Sequence, residues 1–189
     1  MRRLILKMSM SLDGYVAGPK GELDWMMRTR SPEGIEWVGQ SLRQAGAHLM
    51  GRRTYADMVA YWPTSTDPLA APMNTVPKIV FSRSGGLALE STAAPGSGWD
   101  DTRVLGSDLA ADIAALKAES GKDLLAHGGA SFAQALVRLG LVDEYRLVVH
   151  PVVLGSGQAL FVGTAPFDLA LTDATSFPIG TQGLIYRPN

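Results

Sequence analysis

A glycine, two arginines and a threonine stand between an apolar run and a helix-like segment. The apolar run is 47–50, and the four residues are Gly51, Arg52, Arg53 and Thr54, of which Thr54 is expected to cap the helix. A turn from a strand into a helix exposes backbone N–H groups at the positive end of the helix dipole. Glycine also lets a ligand approach the backbone closely. The pattern suits a phosphate or a diphosphate; the alternative is an ordinary turn with two solvated arginines.

A second turn of the same kind lies at His127-Gly128-Gly129-Ala130-Ser131, again between an apolar run and the start of a helix. Taken alone, it is better explained as a tight turn. However, the carboxyl ends of strands in an open α/β sheet face one crevice, where ligands bind. Two such turns on one sheet therefore predict a dinucleotide site.

A third feature, Phe81-Ser82-Arg83, ends another apolar run. An arginine beside a hydroxyl suits a terminal phosphate, which would favour NADP over NAD; the alternative is a solvated loop arginine. No G-x-G-x-x-G follows the first apolar run, so the usual Rossmann pattern is absent.

Other polar residues offer weaker signals. Asp13-Gly14 predicts a turn or bulge in the first strand, where Asp13 either contacts a substrate or only shapes the turn. His48, His127 and His150 lack the spacing of metal ligands, so we expect histidines of the core or of strand ends and no metal site.

Strand-like and helix-like segments alternate along the chain and must position these turns. Strands separated by helices imply a parallel sheet, and the helix-free last third implies antiparallel pairing at one edge. We predict a single three-layer α/β domain over residues 1–189, with a mixed, mostly parallel central sheet. Segments 64–76 and 84–98 are predicted to be surface loops. The predicted strands cover 4–10, 47–50, 78–81, 103–105, 123–127 and 145–154, and helical spacing joins 35–45, 55–62, 109–116 and 132–139.

Composition excludes several classes of protein. Hydrophobic residues make up 46% of the 189 residues and charged residues 19%, which is not the composition of a disordered chain. The net charge of -1 offers no basic excess for binding nucleic acid or an anionic membrane. Cysteine is absent, so thiolate catalysis and disulfides are excluded. No apolar run is long enough for a transmembrane helix, and the broken N-terminal run does not resemble a signal peptide, so we expect a cytoplasmic protein.

Together these motifs resemble the dihydrofolate reductase-like superfamily. The resemblance rests on segments 8–17, 50–55, 80–83 and 124–132, in that order. Segments 142–145 and 150–157 are most similar to the reductase (C-terminal) domain of bacterial bifunctional riboflavin-biosynthesis deaminase-reductases. The resemblance spans about Arg3 to Tyr186 and implies an α/β fold that binds NADPH.

The resemblance also implies roles for single residues. The first turn would hold the diphosphate and the adenosine side of NADPH, and Ser82 with Arg83 would meet the adenosine-ribose phosphate. Ser9 and Val16 would flank the nicotinamide. Asp13 would face the substrate pocket, and it or a bound water is the candidate proton donor. The second cradle for the diphosphate would consist of Gly128, Gly129, Ala130, Ser131 and Phe132.

Two departures from the family pattern narrow the activity. Dihydrofolate reductase has an acid on its first helix, a few residues past a tryptophan, whereas counting from Trp25 reaches Arg30. The zinc deaminase half has no counterpart, since no cysteine could bind its metal. We therefore expect a standalone NADPH-dependent reductase of a small planar heterocyclic or imine-like molecule, such as 5-amino-6-(5-phosphoribosylamino)uracil. The alternatives are a dihydrofolate or pteridine reductase and a nucleotide-binding module without turnover.

The long β-rich run late in the chain predicts an exposed sheet, and exposed strand edges tend to be paired. Dimerisation is also common in the subfamily that the chain resembles. We expect a homodimer formed through an edge strand or a sheet face.

Overall fold

The computed structural model describes residues 1–83 and 95–189. It contains an eight-stranded mixed sheet, mostly parallel with an antiparallel edge, together with α-helices and a small two-stranded sheet, so the predicted α/β class is confirmed. The contacts group the chain into two compact units. The first unit is Met1–Leu4 with Val38–Gly129, and the second is Ile5–Trp37 with Ala130–Asn189. One domain over 1–189 stays a prediction.

The elements are numbered in chain order. The strands are β1 (Leu4–Ser11), β2 (Tyr15–Ala17), β3 (Ala47–Gly51), β4 (Lys78–Phe81), β5 (Arg103–Leu105), β6 (Leu124–Ala126), β7 (Glu144–His150), β8 (Gln158–Ala159), β9 (Leu169–Ser176) and β10 (Gln182–Pro188). The helices are α1 (Pro32–Gln44), α2 (Arg52–Tyr61), α3 (Ala70–Thr75), α4 (Leu109–Ala118) and α5 (Ala130–Arg138), with 3-10 turns at Asp24–Thr29 and Trp62–Thr64.

The first unit is built on four parallel strands in the order β5-β4-β3-β6. Strands buried on both faces are continuous apolar runs, which is why the sequence pattern located β3, β4 and β6. In the register, Gly51 lies beside Phe81, and Leu49 lies beside Ala126. The carboxyl ends of these three strands therefore lie at one edge of the unit.

The first four residues of the chain belong to the first unit, where they pair with residues near the end of its long segment, Val38–Gly129. The Arg2 guanidinium donates to the Lys122 carbonyl at 2.6 Å, and Arg3 forms an ion pair with Asp123 at 2.6 Å. The backbone N–H of Leu124 also donates to the Arg3 carbonyl. Residues more than a hundred positions apart thus meet at the amino ends of the strands.

Two local predictions for the first unit are wrong, and a third falls mostly outside the described residues. Thr54 does not cap α2, because the helix begins at Arg52 with Gly51 in the cap position. The predicted loop 64–76 contains α3, whose Ala70 and Met73 are buried, so apolar packing prevails over its turn-forming composition. Most of the predicted loop 84–98 lies outside the described residues, which omit 84–94.

The second unit contains β1, which is parallel to β7, followed by antiparallel β10 and β9. Strand β7 ends at His150, directly before Pro151, which has no N–H to donate. β9 and β10 form a hairpin in which the Phe177 N–H donates to the Thr181 carbonyl. This hairpin confirms the antiparallel edge expected of the last third.

A buried ion cluster holds the start of β7. The Glu144 side chain is only 2% exposed and accepts from Arg146 at 2.8 Å and from Arg187 at 2.9 Å. Helix α5 ends at Arg138, so Leu139, at the end of the predicted helical spacing 132–139, lies outside the helix and is 52% exposed. Within 1–83 and 95–189, no helix has both the length and the apolar character needed to cross a bilayer.

Candidate functional site

The first predicted turn is a helix start without a side-chain cap, and it carries two exposed arginines. Gly51 is extended, with φ -76° and ψ 158°, and has no side chain to bind the first N–H groups of α2. Arg52 and Arg53 are exposed, and neither has an ion-pair partner within the described parts of the chain. The helix dipole and the two guanidinium groups therefore make this edge attractive to an anion.

The second turn lies directly against the first. Gly129 has φ +86°, and a Cβ at this position would run into the Thr54 hydroxyl oxygen. Glycine is required here for two reasons, the left-handed backbone and the lack of space. The structure thus brings two turns that are far apart in sequence into contact at the carboxyl ends of β3 and β6.

The third feature follows β4 at the same edge. Ser82 is buried, and its N–H donates to the Leu105 carbonyl at 2.9 Å. Arg83 is exposed and is the last described residue before 84–94. Because Phe81 pairs with Gly51, Ser82 and Arg83 leave the sheet beside the first turn. The first unit therefore gathers Gly51, Thr54, Ser82, Arg83 and Gly129 at one edge.

Sequence analysis missed Gly106 at this edge. Its φ is +133°, and a Cβ would lie 2.8 Å from the backbone nitrogen of Ser82. Glycine at 106 therefore allows the chain after β5 to pass against the chain after β4. The signal was present in the sequence, since Gly106 follows a short apolar strand just as Gly51 and Gly128 do.

Two buried histidines pack near the second turn. The rings of His48 and His127 meet edge to face with centroids 4.6 Å apart. Burial, with a contribution from the Lys78 charge, lowers the pKa of His48 to about 3, so this ring is neutral at neutral pH. Both residues are buried, as predicted, and no metal-binding group of His, Asp or Glu forms in the part of the chain that the structure describes.

Asp13 anchors a loop of the second unit. Its carboxylate accepts from the Ser11 hydroxyl at 2.7 Å and from the N–H groups of Leu154 and Gly155 at 3.1 and 2.8 Å. These hydrogen bonds, that of Ser11 first, lower the pKa of Asp13. A lowered pKa leaves a carboxylate without a proton at neutral pH, which is unfavourable for a general acid. The role of Asp13 as proton donor stays a prediction.

The other residues predicted to bind the cofactor also belong to the second unit. Ser9 is half-buried on β1, and Val16 is buried in β2. The first turn of α5 consists of half-buried Ala130, exposed Ser131 and buried Phe132. The predicted roles of these five residues stay predictions.

Lys7 is a second residue that sequence analysis missed. It is half-buried on β1, and within 1–83 and 95–189 its ammonium has no hydrogen-bond or ion-pair partner. Burial and the nearby charge of Arg30 lower the pKa of Lys7 to about 8. Such a lysine can exchange a proton near neutral pH. The available signal was one lysine inside the apolar run 4–8.

A family model and a relative both match nearly the whole chain. The family model described as the RibD C-terminal domain matches residues 2–185. The uncharacterized protein YyaP of Bacillus subtilis (strain 168) is 30% identical over 194 residues, covering 100% of this chain and 96% of that protein.

Solved structures show the same fold. A protein of Shewanella sp. PV-4, whose name places it provisionally in riboflavin biosynthesis, matches with a TM-score of 0.75 at 24% identity, over 99% of both chains. RibD of Acinetobacter baumannii matches with a TM-score of 0.68 at 21% identity, over 100% of this chain and 58% of that one. The chain thus spans somewhat more than half the length of that RibD.

Proposed function

The chain belongs to the RibD C-terminal domain family, as its motifs predicted, and we propose that it is an NADPH-dependent reductase. Its substrate would be a small planar heterocyclic or imine-like molecule of the 5-amino-6-(5-phosphoribosylamino)uracil type. The observation that carries the proposal is the contact of Gly129 with Thr54, which brings two glycine turns, with the exposed Arg52 and Arg53 beside them, to one edge of the first unit.

The residues of this edge fit a phosphorylated dinucleotide. The uncapped start of α2, with Arg52 and Arg53, would bind the diphosphate, and Gly129 lets the second turn lie directly against Thr54, where any side chain would collide. Arg83 and Ser82 would bind the additional phosphate that distinguishes NADPH from NADH. When bound, the nicotinamide supplies the hydride, and the protein supplies orientation and electrostatics.

Reduction of a C=N bond also needs a proton for the nitrogen. The second unit offers Asp13, whose pKa is lowered, and Lys7, whose pKa of about 8 leaves it mostly protonated at pH 7. A bound water, or Lys7 if its ammonium reaches the substrate, would supply the proton. If Lys7 is the donor, kcat falls as the pH rises through 8. Lys7→Met should abolish this fall in the pH profile of kcat, and Asp13→Asn should keep it.

The direct test of the cofactor is a titration with NADPH and with NADH, repeated on Arg83→Ala. We expect at least about a tenfold loss of NADPH affinity and little change for NADH, since hydrogen bonds to charged groups contribute about 1.5–3 kcal/mol. Arg103→Ala is the matched control, because Arg103 begins β5 at the other end of the strand and pairs with Glu119. Equal losses for both nucleotides, or none, would contradict the phosphate assignment.

Turnover is tested separately, by following NADPH absorbance with a panel of pyrimidine, pteridine and imine substrates. Oxidation that depends on substrate supports the reductase. Binding without oxidation across the panel would instead leave a nucleotide-binding module.

A further inference from the structure

The chain that leaves β5 passes so close to the chain that leaves β4 that position 106 has no room for a side chain. A Cβ on Gly106 would lie 2.5 Å from the carbonyl oxygen of Ser82, 2.8 Å from its nitrogen and 2.9 Å from its carbonyl carbon. All three are backbone atoms, which cannot turn away as the end of a long side chain can. Any side chain at 106 must therefore move one of the two chain segments.

The segment that contains Gly106 is held on both sides. Before it, β5 is paired in parallel with β4. Two residues after it, the Asp108 carboxylate caps α4 by accepting from two backbone N–H groups, at 3.0 and 3.1 Å. Helix α4 is fixed in turn by Ile113 and Leu116, which are both 0% exposed. A side chain added at 106 should therefore displace Ser82 rather than its own segment.

Ser82 has a less secure position, because it lies one residue beyond the end of β4. Its N–H donates to the Leu105 carbonyl at 2.9 Å, which extends the pairing of β4 with β5 by one residue. Arg83 follows directly and is exposed. The backbone of Ser82 thus sets the point and the direction in which Arg83 leaves the sheet.

The size of the displacement matters for a phosphate site. Moving the closest contact of a Cβ from 2.5 Å to the 3.4 Å of ordinary van der Waals contact requires a shift of roughly 0.9 Å, whereas binding groups must be held to within about 0.5 Å. A guanidinium group that binds phosphate through two parallel hydrogen bonds depends strongly on its orientation. A shift of Ser82 would therefore spoil a phosphate contact made by Arg83.

The two glycine turns proposed for the diphosphate stand apart from this contact. Strand β5 lies at the edge of the sheet beside β4, whereas Gly51 and Gly129 follow β3 and β6. Gly129 is packed on Thr54 and not on the chain after β5. A change at position 106 should thus affect the additional phosphate of NADPH more than the part of the coenzyme that NADH shares.

We propose that Gly106 is a positioning residue that sets the preference for NADPH over NADH. By leaving room for the close approach of the two segments, it holds Ser82 and Arg83 where they would meet the additional phosphate, without contacting the coenzyme itself. This inference rests on the proposed function, because that function assigns the phosphate to Ser82 and Arg83.

The test is calorimetric titration of the whole chain with NADPH and with NADH, for the wild type, Gly106→Ala and Gly121→Ala. Gly106→Ala should bind NADPH about tenfold or more weaker and NADH within about twofold of the wild type. Gly121→Ala is the matched control, since its φ of +136° is close to the +133° of Gly106. Among the described residues, its Cβ would meet only the Arg2 guanidinium, at 3.7 Å or more. It should keep the ratio of the two affinities.

A second pair of variants serves if thermal unfolding shows that Gly106→Ala does not fold. Asp108→Ala removes both the charge and the cap of α4, whereas Asp108→Asn removes the charge and keeps a good capping residue. Loss of the cap loosens the segment that follows Gly106. The NADPH to NADH affinity ratio of Asp108→Ala should therefore be about twofold or more below that of Asp108→Asn.

The outcomes separate this inference from the proposed function. A wild type that binds NADPH and NADH equally well overturns the phosphate assignment, and this inference with it. If the wild type prefers NADPH and a folded Gly106→Ala keeps that preference, only this inference is overturned. It is also overturned if Gly121→Ala lowers the ratio as much, because backbone strain would then be the cause. Where Gly106→Ala does not fold, equal ratios in the two Asp108 variants overturn it.

Discussion

The two compact units use their sheets in different ways. In the first unit, four parallel strands end at turns where glycines bring backbone segments together, as Gly129 does beside Thr54 and Gly106 does beside Ser82. In the second unit, mixed strands are held by side chains such as Glu144, whose carboxylate joins two arginines.

This difference indicates where each unit is sensitive to change. A site made of backbone N–H groups fails when a side chain is added, whereas a buried charge cluster fails when a side chain is removed. Substitutions in the first unit should therefore affect ligand affinity most, and those in the second unit should affect stability most.

Removal of Glu144 should have the largest effect. Glu144→Ala leaves the mostly buried Arg146 without its carboxylate, and breaking a buried pair in this way costs about 3–5 kcal/mol. Urea denaturation measures the free energy of unfolding. Arg187→Ala is the control, because Arg187 is 52% exposed and its loss should cost about 1 kcal/mol or less. Equal losses for the two variants would mean that burial does not set the importance of this cluster.

The next largest effect should come from a methyl group added at Gly129. Gly129→Ala combines a backbone angle of +86° with a collision against Thr54, and we expect about a hundredfold weaker NADPH binding. Gly140→Ala has a similar angle of +63° but open space around its Cβ. Isothermal titration of both variants separates the collision from backbone strain. If Gly140→Ala weakened binding as much, the close approach of the two turns would not be the cause.

Acid should destabilise both units by an amount that grows gradually as the pH falls. Burial lowers the pKa of His48 to about 3 and that of His150 to about 4, both below the 6.5 of an unfolded histidine. The unfolded chain therefore binds protons that the folded chain does not, so stability falls as the pH drops below 6.5. Each histidine contributes a slope of about 1.4 kcal/mol per pH unit until its folded-state pKa is reached.

Substitution separates the two histidines in this acid response. His48→Asn and His150→Asn should each flatten the dependence of unfolding free energy on pH. The contribution of His48 should extend to a lower pH than that of His150, because its folded-state pKa is lower. Profiles unchanged from the wild type would show that neither ring stays neutral in the fold.

The first unit was more predictable than the second because its signals are local. Continuous apolar runs identified β3, β4 and β6, and glycine after each of β3 and β6 marked the two turns. Thr54 was misplaced because threonine is a common cap, whereas here glycine fills the cap position and leaves the N–H groups open. The contact of Gly129 with Thr54 links residues far apart in sequence, so the sequence supported only the expectation that they share an edge.

In the second unit, the residues that sequence analysis missed lie within ordinary sequence patterns. Lys7 interrupts an apolar strand by one residue, and only the fold shows that it has Arg30 nearby and no acid as a partner among the described residues. The exposure of Leu171 and Phe167 depends on which elements cover each face, which alternation of residue types does not reveal.

The pairing of Arg2 and Arg3 with residues near 122 has a consequence for the order of folding. During synthesis, Arg2 and Arg3 emerge long before Asp123 leaves the ribosome, so the first unit cannot be completed until the chain has been made beyond Asp123. Contacts of such high sequence separation slow folding, and domains that wait for a distant segment expose apolar strands in the meantime. We therefore expect the nascent chain to depend on chaperones more than a protein of this size with local contacts would.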